Sequence, residues 1–599
     1  MVVQLIIASS HQTIKLQPNR NPELYPSTAV SNATPLLSES DMESTTIARA
    51  STTDRQRTLF GLALVLPYLI GTLWTLGHPI VSVMTGESKC RGWYIDEHSL
   101  DSSFFRSRDK YMTVESSTRK RSGINSLCRA LESVECHSHG GVIEVARIVP
   151  LEGAIEPVSE SIVLLIPPCD DWSTSDFHFA ITQLAKRLSS AAWLAKTVLI
   201  VAPADVLISM EDTMERFLNA YLGSTVNETA TMLPPQLTSA MIRSLLVVNT
   251  ETNPVDAPNQ NTLKILPQGR RGVLPNMDLI FHVMTIYASA SFMDTRRYPF
   301  TMFMHPYTDT SMQWRNFVST FLPKKLHTWT TEVADMLLFA YTLSMGPYPV
   351  HAPVLDRGVD SLTLELTLSG KNPGSQGPFL VEFVQQLEHV IHGLSNLHER
   401  LHHSLTQYIL PSPSKFVSHS EYIIPNFLLL VPLVVKVFML ILLEIKVFDF
   451  SAFAKAFMAL MFGVALLVVS SSLNLPQSNG LCFLGYMILP LNFKRGQQKH
   501  KFATKSLQLM TCLLAIYSHI PLVLGHVSLA YPSALLWTPL ILCLNHERYF
   551  QRLLGAAVLL ITWPPLLLVP YPFEVYTPYL CLVYIPLHLL VAMQWLSSF

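Results

Sequence analysis

Between Leu507 and Leu544 the chain carries no Asp, Glu, Lys or Arg. A helix needs about 20 apolar residues to cross a bilayer core, so this stretch is long enough for two spans joined by a tight turn. Lipid offers no water to backbone polar groups, which restricts spanning structures to helices and closed barrels. Leu59 to Met84 is a second uncharged run, of 26 residues. From Tyr422 onward the chain divides into seven spans, near 422–445, 452–473, 475–493, 506–524, 526–544, 553–571 and 576–597. Composition agrees: 14% of residues are charged, against about 25% in an ordinary soluble chain. The expected fold class is a membrane protein with eight transmembrane helices, one N-terminal and seven C-terminal.

Basic residues orient the spans. With eight spans both termini share one side. Nine basic residues flank or fill the loops on that side: Lys446 and Lys455, then Lys494, Arg495, Lys499, Lys501 and Lys505, then Arg548 and Arg552. The opposite loops, near NLPQSNG, GHVSLAYPS and YPFEVYTPY, hold no Lys or Arg. This places both termini in the cytosol and residues 85–421 in the lumen or outside. The spans themselves are read as free of mid-span charge, which weakens a carrier or flippase reading. A net charge of −1 gives no global field for nucleic acid, and no nucleic-acid motif is present.

The polar regions differ from one another. Residues 1–58 are rich in Ser, Thr, Pro and Asn without apolar periodicity and read as a disordered cytosolic tail. The first span covers 59–84. Within 85–421, SIVLLIPPC (161–169), KTVLIVAP (196–203) and SLLVVNTE (244–251) read as buried strands. FHFAITQLAKRLSSAAW (177–193) and MEDTMERFLNAYL (210–222) between them have helical spacing. Alternation of this kind predicts an α/β domain, its sheet parallel or mixed, with flanking helices. Asn227-Glu228-Thr229 is a glycosylation acceptor if the domain is lumenal. Cys90, Cys128, Cys136 and Cys169 could form disulfides there or remain buried thiols. Cys482, Cys512, Cys543 and Cys581 lie in apolar runs.

The sharpest motif is His398-Glu399-Arg400-Leu401-His402, which fits the H-E-x-x-H zinc signature. Phe383, Leu387, Val390, Leu394, Leu397, Leu401, Leu405 and Tyr408 recur at helical spacing, predicting one amphipathic helix of about seven turns. His398 and His402 would share a face of it, and Glu421 follows at a spacing known in thermolysin-like aminopeptidases. Against a zinc site stand Pro411 and Pro413, which break the helix, and the local density of histidines. The other reading is a solvated His-rich helix face leading into the membrane.

Four stretches carry a family resemblance: WYIDEHSL (93–100), SIVLLIPPCDDWSTS (161–175), GRRGVLPNMDLIF (269–281) and LHERLHHSLTQYILPSPSKFVSHSEYIIPNFLLL (397–430). Together they resemble the large polytopic subunit of the glycosylphosphatidylinositol (GPI) transamidase, the Gaa-one family. The family order is one span, a lumenal domain and seven spans, and the resemblance runs from about Leu59 to Phe599. Its junction pattern does not require the first histidine, so the resemblance implies that the metalloprotease match is accidental.

The resemblance implies a lumenal domain (85–421) similar to di-zinc aminopeptidases, followed by the bundle 422–599. It also implies an endoplasmic reticulum location. Those peptidases place ligands at the carboxyl ends of parallel strands, including a Glu-Glu pair. Here KTVLIVAP is followed by Pro203-Ala204-Asp205, and SIVLLIPP by Cys169, Asp170 and Asp171. Asp170, Asp171 and Asp205 could hold an ion or simply cap their loops. The implied function is a non-catalytic subunit without a cofactor, presenting GPI lipid and the proprotein C-terminal signal. A legumain-like cysteine protease subunit would carry the nucleophile. Pro586 matches a family proline associated with GPI recognition, and a proline within a span also serves as a plain packing kink. His588, two residues on and unusual inside a span, is the second lipid-binding candidate, and such a residue can also face protein. The competing readings are a membrane-anchored zinc metallopeptidase and a lipid carrier or flippase.

Overall fold

The computed structural model describes residues 59, 61–78, 127–131, 134–151, 160–169, 175–222, 233–238, 240–252, 261–287, 300–368, 373–397, 407–413, 415–444, 449–470, 500–543, 555–562 in part and 578–596. They form two compact units, one drawn from Gly77–His419 and the other from Met1–Leu76 with Ser420–Phe599.

The strands of the Gly77–His419 unit are β1 (Glu135–His139), β2 (Ile143–Ile148), β3 (Glu160–Leu165), β4 (Thr197–Pro203), β5 (Met241–Thr252), β6 (Asn261–Leu266), β7 (Phe300–Phe303), β8 (Asp360–Leu368), β9 (Tyr408–Ser412) and β10 (Lys415–Ser418). The long described helices of the chain are α1 (Gly61–His78), α2 (Asp176–Ser189), α3 (Met210–Leu222), α4 (Met277–Tyr287), α5 (Thr308–Phe321), α6 (Lys324–Met345), α7 (Pro373–Asn396), α8 (His419–Met439), α9 (Phe450–Ser470), α10 (His500–Gly525), α11 (Val527–Cys543) and α12 (Ile585–Leu596).

Eight strands make one mixed sheet in the order β1-β2-β4-β3-β5-β8-β6-β7. β4, β3, β5 and β8 run parallel, while β2 and β6 pair antiparallel with β4 and β8. All seven residues of β4 are buried, which is why KTVLIVAP reads as an unbroken apolar run rather than an alternating one. Side chains alternate across the sheet. Val163, Leu165, Leu199, Val201, Leu245 and Val247 pack with Met214, Phe217 and Leu218 of α3 on one face. α7 packs against α2 and α4. Ser175 caps α2, its Oγ accepting from the His178 backbone N–H.

An ion row crosses the amino ends of the parallel strands. Lys196, just before β4, lies 2.9 Å from Glu160 of β3, and Arg243 of β5 lies 3.9 Å from the other oxygen of Glu160. The Asn276 N–H donates to Asp360 at the start of β8.

Two expectations are corrected. The helix projected through Tyr408 ends at Asn396, and Tyr408 lies in β9. There its hydroxyl donates to the Pro275 carbonyl (2.9 Å). Pro411 and Pro413 bias the residues before them to extended backbone, so the strand wins over the apolar spacing. The spans are also not free of charge. Lys436 lies within α8 and is only 7% exposed.

Among the described residues four helices are long and apolar enough to cross a membrane: Gly61–His78, His419–Leu442, Phe450–Val469 and Thr504–Gly525. Val527–Leu542 and Leu580–Trp595 are shorter apolar helices. The chain is a membrane protein with a mixed α/β sheet domain. The expected span 475–493 and most of 553–571 lie outside the described residues.

Candidate functional site

In α/β sheets, ligands favour the crevice beyond the carboxyl ends of the strands, where strand order reverses. Here β3 connects through α2 to β4 on one side, and β4 connects through α3 back to β5 on the other. The loop after β3 is therefore the first place to look. Its Pro167 carbonyl accepts from His178 Nε2 (3.0 Å), while His178 Nδ1 faces the Ser175 hydroxyl at 2.8 Å. With Nε2–H donating to the carbonyl, Nδ1 accepts from Ser175. Burial pushes His178 below the usual histidine range, partly offset by that bond to Pro167. Reading the sequence around Asp170 for an adjacent histidine misses His178, because it comes from the helix beneath the loop. Asp170 and Asp171 lie outside the described residues.

After β4, exposed Asp205 accepts from the Leu207 N–H at 3.3 Å, and its carbonyl accepts from the Ile208 N–H at 3.1 Å. Its carboxylate thus shapes its own loop. At the ends of β5 and β8 stands a group the sequence reading missed. Lys264 Nζ lies 2.5 Å from Glu365 Oε1. Glu251 has its carboxyl pushed upward by burial and then by Glu365, with Lys264 opposing. Register is the only signal that could have found it: Lys264 pairs with Glu365 across β6 and β8. Among the described residues no group of three or more His, Cys, Asp or Glu is placed to hold a metal.

The residues just before the H-E-x-x-H stretch meet the amino edge of the sheet. Lys196 Nζ donates to the Leu394 and Leu397 carbonyls (3.0 and 2.5 Å), and the Ser395 hydroxyl accepts from the Ala195 N–H (2.8 Å). Leu397, the residue before His398, is thereby held at the amino end of β4. His398 and His402 lie outside the described residues, and Glu421 belongs to the first turn of α8 in the other unit.

In the bundle, Leu580–Tyr584 is a π-turn, with the Ile585 N–H bonding back to the Leu580 carbonyl. The next bond in that register would run from residue 586 to Cys581, and Pro586 has no N–H to give. The Cys581 carbonyl instead faces Gly463 of α9. A methyl group at Gly463 would collide with that carbonyl and stand 3.0 Å from the Pro586 ring. Two residues on, buried His588 donates to the Leu559 carbonyl (3.1 Å), and the Tyr584 hydroxyl donates to Thr562 (2.7 Å). Pro586 and His588 are both buried against protein.

From Tyr579, the residue before the π-turn, a polar relay crosses three helices. The Tyr579 hydroxyl donates to Ser533 Oγ of α11 (2.8 Å). Ser533 in turn lies 2.8 Å from His519 Nε2 of α10, and His519 Nδ1 lies 2.6 Å from the Ala515 carbonyl. Only one proton arrangement satisfies all of these: Nδ1–H to Ala515, Ser533 O–H to Nε2, and Tyr579 O–H to Ser533. Asn227 and Cys90 lie outside the described residues, while Cys128 and Cys136 form a disulfide with Cα atoms 5.3 Å apart.

A protein-family model described as Gaa1-like, GPI transamidase component, matches residues 154–584. The match runs through both the sheet unit and the bundle.

Proposed function

Because the chain belongs to the Gaa1-like family of GPI transamidase components, we propose that it serves GPI-anchor attachment as a presenting subunit that does not supply the nucleophile. The extent of the family match, across sheet and bundle alike, carries this reading. The nucleophile then belongs to a legumain-like cysteine protease subunit of the same complex. The sheet domain, a peptidase-like scaffold, holds the proprotein end, and the bundle holds the GPI lipid with its tails in the bilayer. Asp205 caps its own loop, which supports a scaffold role over an ion-binding one. The Cys128–Cys136 disulfide supports an oxidising, lumenal location for the sheet domain. With it go an endoplasmic reticulum membrane, cytosolic termini and Asn227 as a glycan acceptor.

The lipid-binding proposal centres on the last span. The proline at 586 removes one helical N–H, and the π register assigns that loss to Cys581. The Tyr579–Ser533–His519 relay lies just before it, and with its hydroxyl protons committed it offers oxygen lone pairs to a donor on a polar headgroup. His588 holds the wall of this site through Leu559.

Capture of the full-length protein from mild detergent, with mass spectrometry of partners and metal, tests the role. Recovery of a legumain-like protease subunit is the expected result. A solitary protein carrying one zinc, lost on His402→Ala, would make it a metallopeptidase instead. One observation favours the carrier reading: Lys436, buried inside α8, is the kind of intramembrane charge that marks transport paths. Lipid scrambling by the purified protein, abolished by Lys436→Met, would establish that reading.

A further inference from the structure

α5 and α6 form an antiparallel hairpin. Ser311 and Arg315 of α5 bond to Asp335 of α6 (2.6 Å each), and Trp314 Nε1 donates to the Thr330 carbonyl (3.2 Å). One side of α5 packs inward through buried Ser311 and Val318. The other carries an aromatic ladder to the tip: Trp314 and Phe317 have ring centroids 5.5 Å apart, and Phe317 and Phe321 4.8 Å. Trp314, Phe317, Phe321 and Leu326 are 40%, 49%, 71% and 41% exposed. Water-facing aromatics this close together mark a binding surface rather than scattered surface apolars.

Two further observations name the occupant. From Thr310 through Thr331 the sequence has no Asp or Glu, while Arg315, Lys324 and Lys325 are basic. Trp and Phe beside Lys and Arg is the composition of elements seated in the headgroup layer. The hairpin is also tied to chain about to enter the membrane. Lys415 of β10 pairs with Glu332 of α6 (2.6 Å), and β9 packs along α6. Lys415 stands four residues before His419, the first residue of an apolar span. Four residues reach at most about 14 Å, and Glu332 is about 12 Å along the helix from Lys324. Chain length alone therefore allows the tip to meet the interface.

We propose that the α5–α6 tip docks into the headgroup layer of the bilayer, with Phe321 and Leu326 as anchors and Lys324 on anionic lipid. This docking does not depend on the role proposed above. It is tested on the full-length protein in phosphatidylcholine–phosphatidylserine nanodiscs, with the photo-crosslinker p-benzoylphenylalanine placed at position 321. Leu207, 91% exposed in the loop after β4, serves as the control position. Lipid adducts at 321, with only background at 207, are expected by mass spectrometry. Equal adducts at both positions, no adduct at 321, or adducts to a co-purifying polypeptide instead would each overturn the proposal. Both positions are exposed and monodispersity of each labelled protein is checked first, so misfolding does not mimic a negative result.

Discussion

Replacing Lys196 by methionine probes the joint between sheet and α7 most directly. Its ammonium group donates to the Leu394 and Leu397 carbonyls and pairs with Glu160, and the residue is 6% exposed. Methionine keeps the apolar stem, so the loss is polar rather than volumetric. Two carbonyls at the end of α7 lose their charged donor, and Glu160 keeps only Arg243 at 3.9 Å. Breaking a buried pair costs about 3–5 kcal/mol, and a carbonyl left without a donor about 1–3 kcal/mol. Glu160 is 26% exposed on its side chain, so water recovers part of the loss and about 3 kcal/mol remains. At roughly 2–4 °C per kcal/mol, the melting temperature of the sheet domain should fall by about 6–12 °C. Trypsin resistance of the full-length protein in detergent, followed against temperature, reads this out. The double variant with Glu160→Gln should cost about 1–3 kcal/mol less than the sum of the two single changes. An unshifted melt for Lys196→Met, or strict additivity in the double variant, would refute the clamp.

The remaining expectations concern other parts of the molecule. Removing the disulfide with Cys128→Ser should cost about 2.5 kcal/mol for so short a loop; a melting temperature indifferent to reductant would contradict this. Burial pushes His282 and His389 down to about 4 and His351 to about 3. These groups are at home neutral, so their contribution is complete above 6.5 and is lost as pH falls from 6.5 toward those values. The loss is roughly 1 kcal/mol per histidine per pH unit, and an unchanged melt between pH 7.5 and pH 5 would count against it. Gly463→Leu should block the approach of α9 to Cys581 and Pro586, lowering both the melting temperature and the rescue of GPI-anchored surface proteins in cells lacking their own subunit. Wild-type behaviour of that variant would discard the packing argument. Asp205→Asn keeps an oxygen for the Leu207 N–H and should leave stability and rescue unchanged. Lost rescue with an intact melt would give Asp205 a chemical role.

The strands were legible because β3, β4 and β5 are apolar on both faces and bounded by polar turns. α3 was legible to its last residue for the complementary reason: Met214, Phe217, Leu218 and Tyr221 form one buried stripe. α7 was misjudged where tertiary contact decided. The apolar spacing continues through Tyr408, yet that side chain serves a strand and a distant carbonyl. Lys436 is legible in the sequence itself, since it stands within the run 422–445 read as a span free of charge. The Lys264–Glu365–Glu251 group needs strand register, which no single sequence prints.

The same limit applies to the zinc question, where geometry adds what spacing lacks. Asp205 follows the carboxyl end of β4, and Leu397, next to His398, is fastened at its amino end. β4 has seven residues, and at about 3.3 Å per residue the two edges stand roughly 20 Å apart. A zinc ion draws its ligands from within about 2.3 Å, so Asp205 and a group at Leu397 itself could not share one. Zinc content of the Asp205→Asn and His402→Ala proteins separates the two candidate sets. Loss in the first alone would place a metal at the carboxyl edge, and loss in the second alone would place it beyond α7. Equal content in both would assign neither residue to a metal.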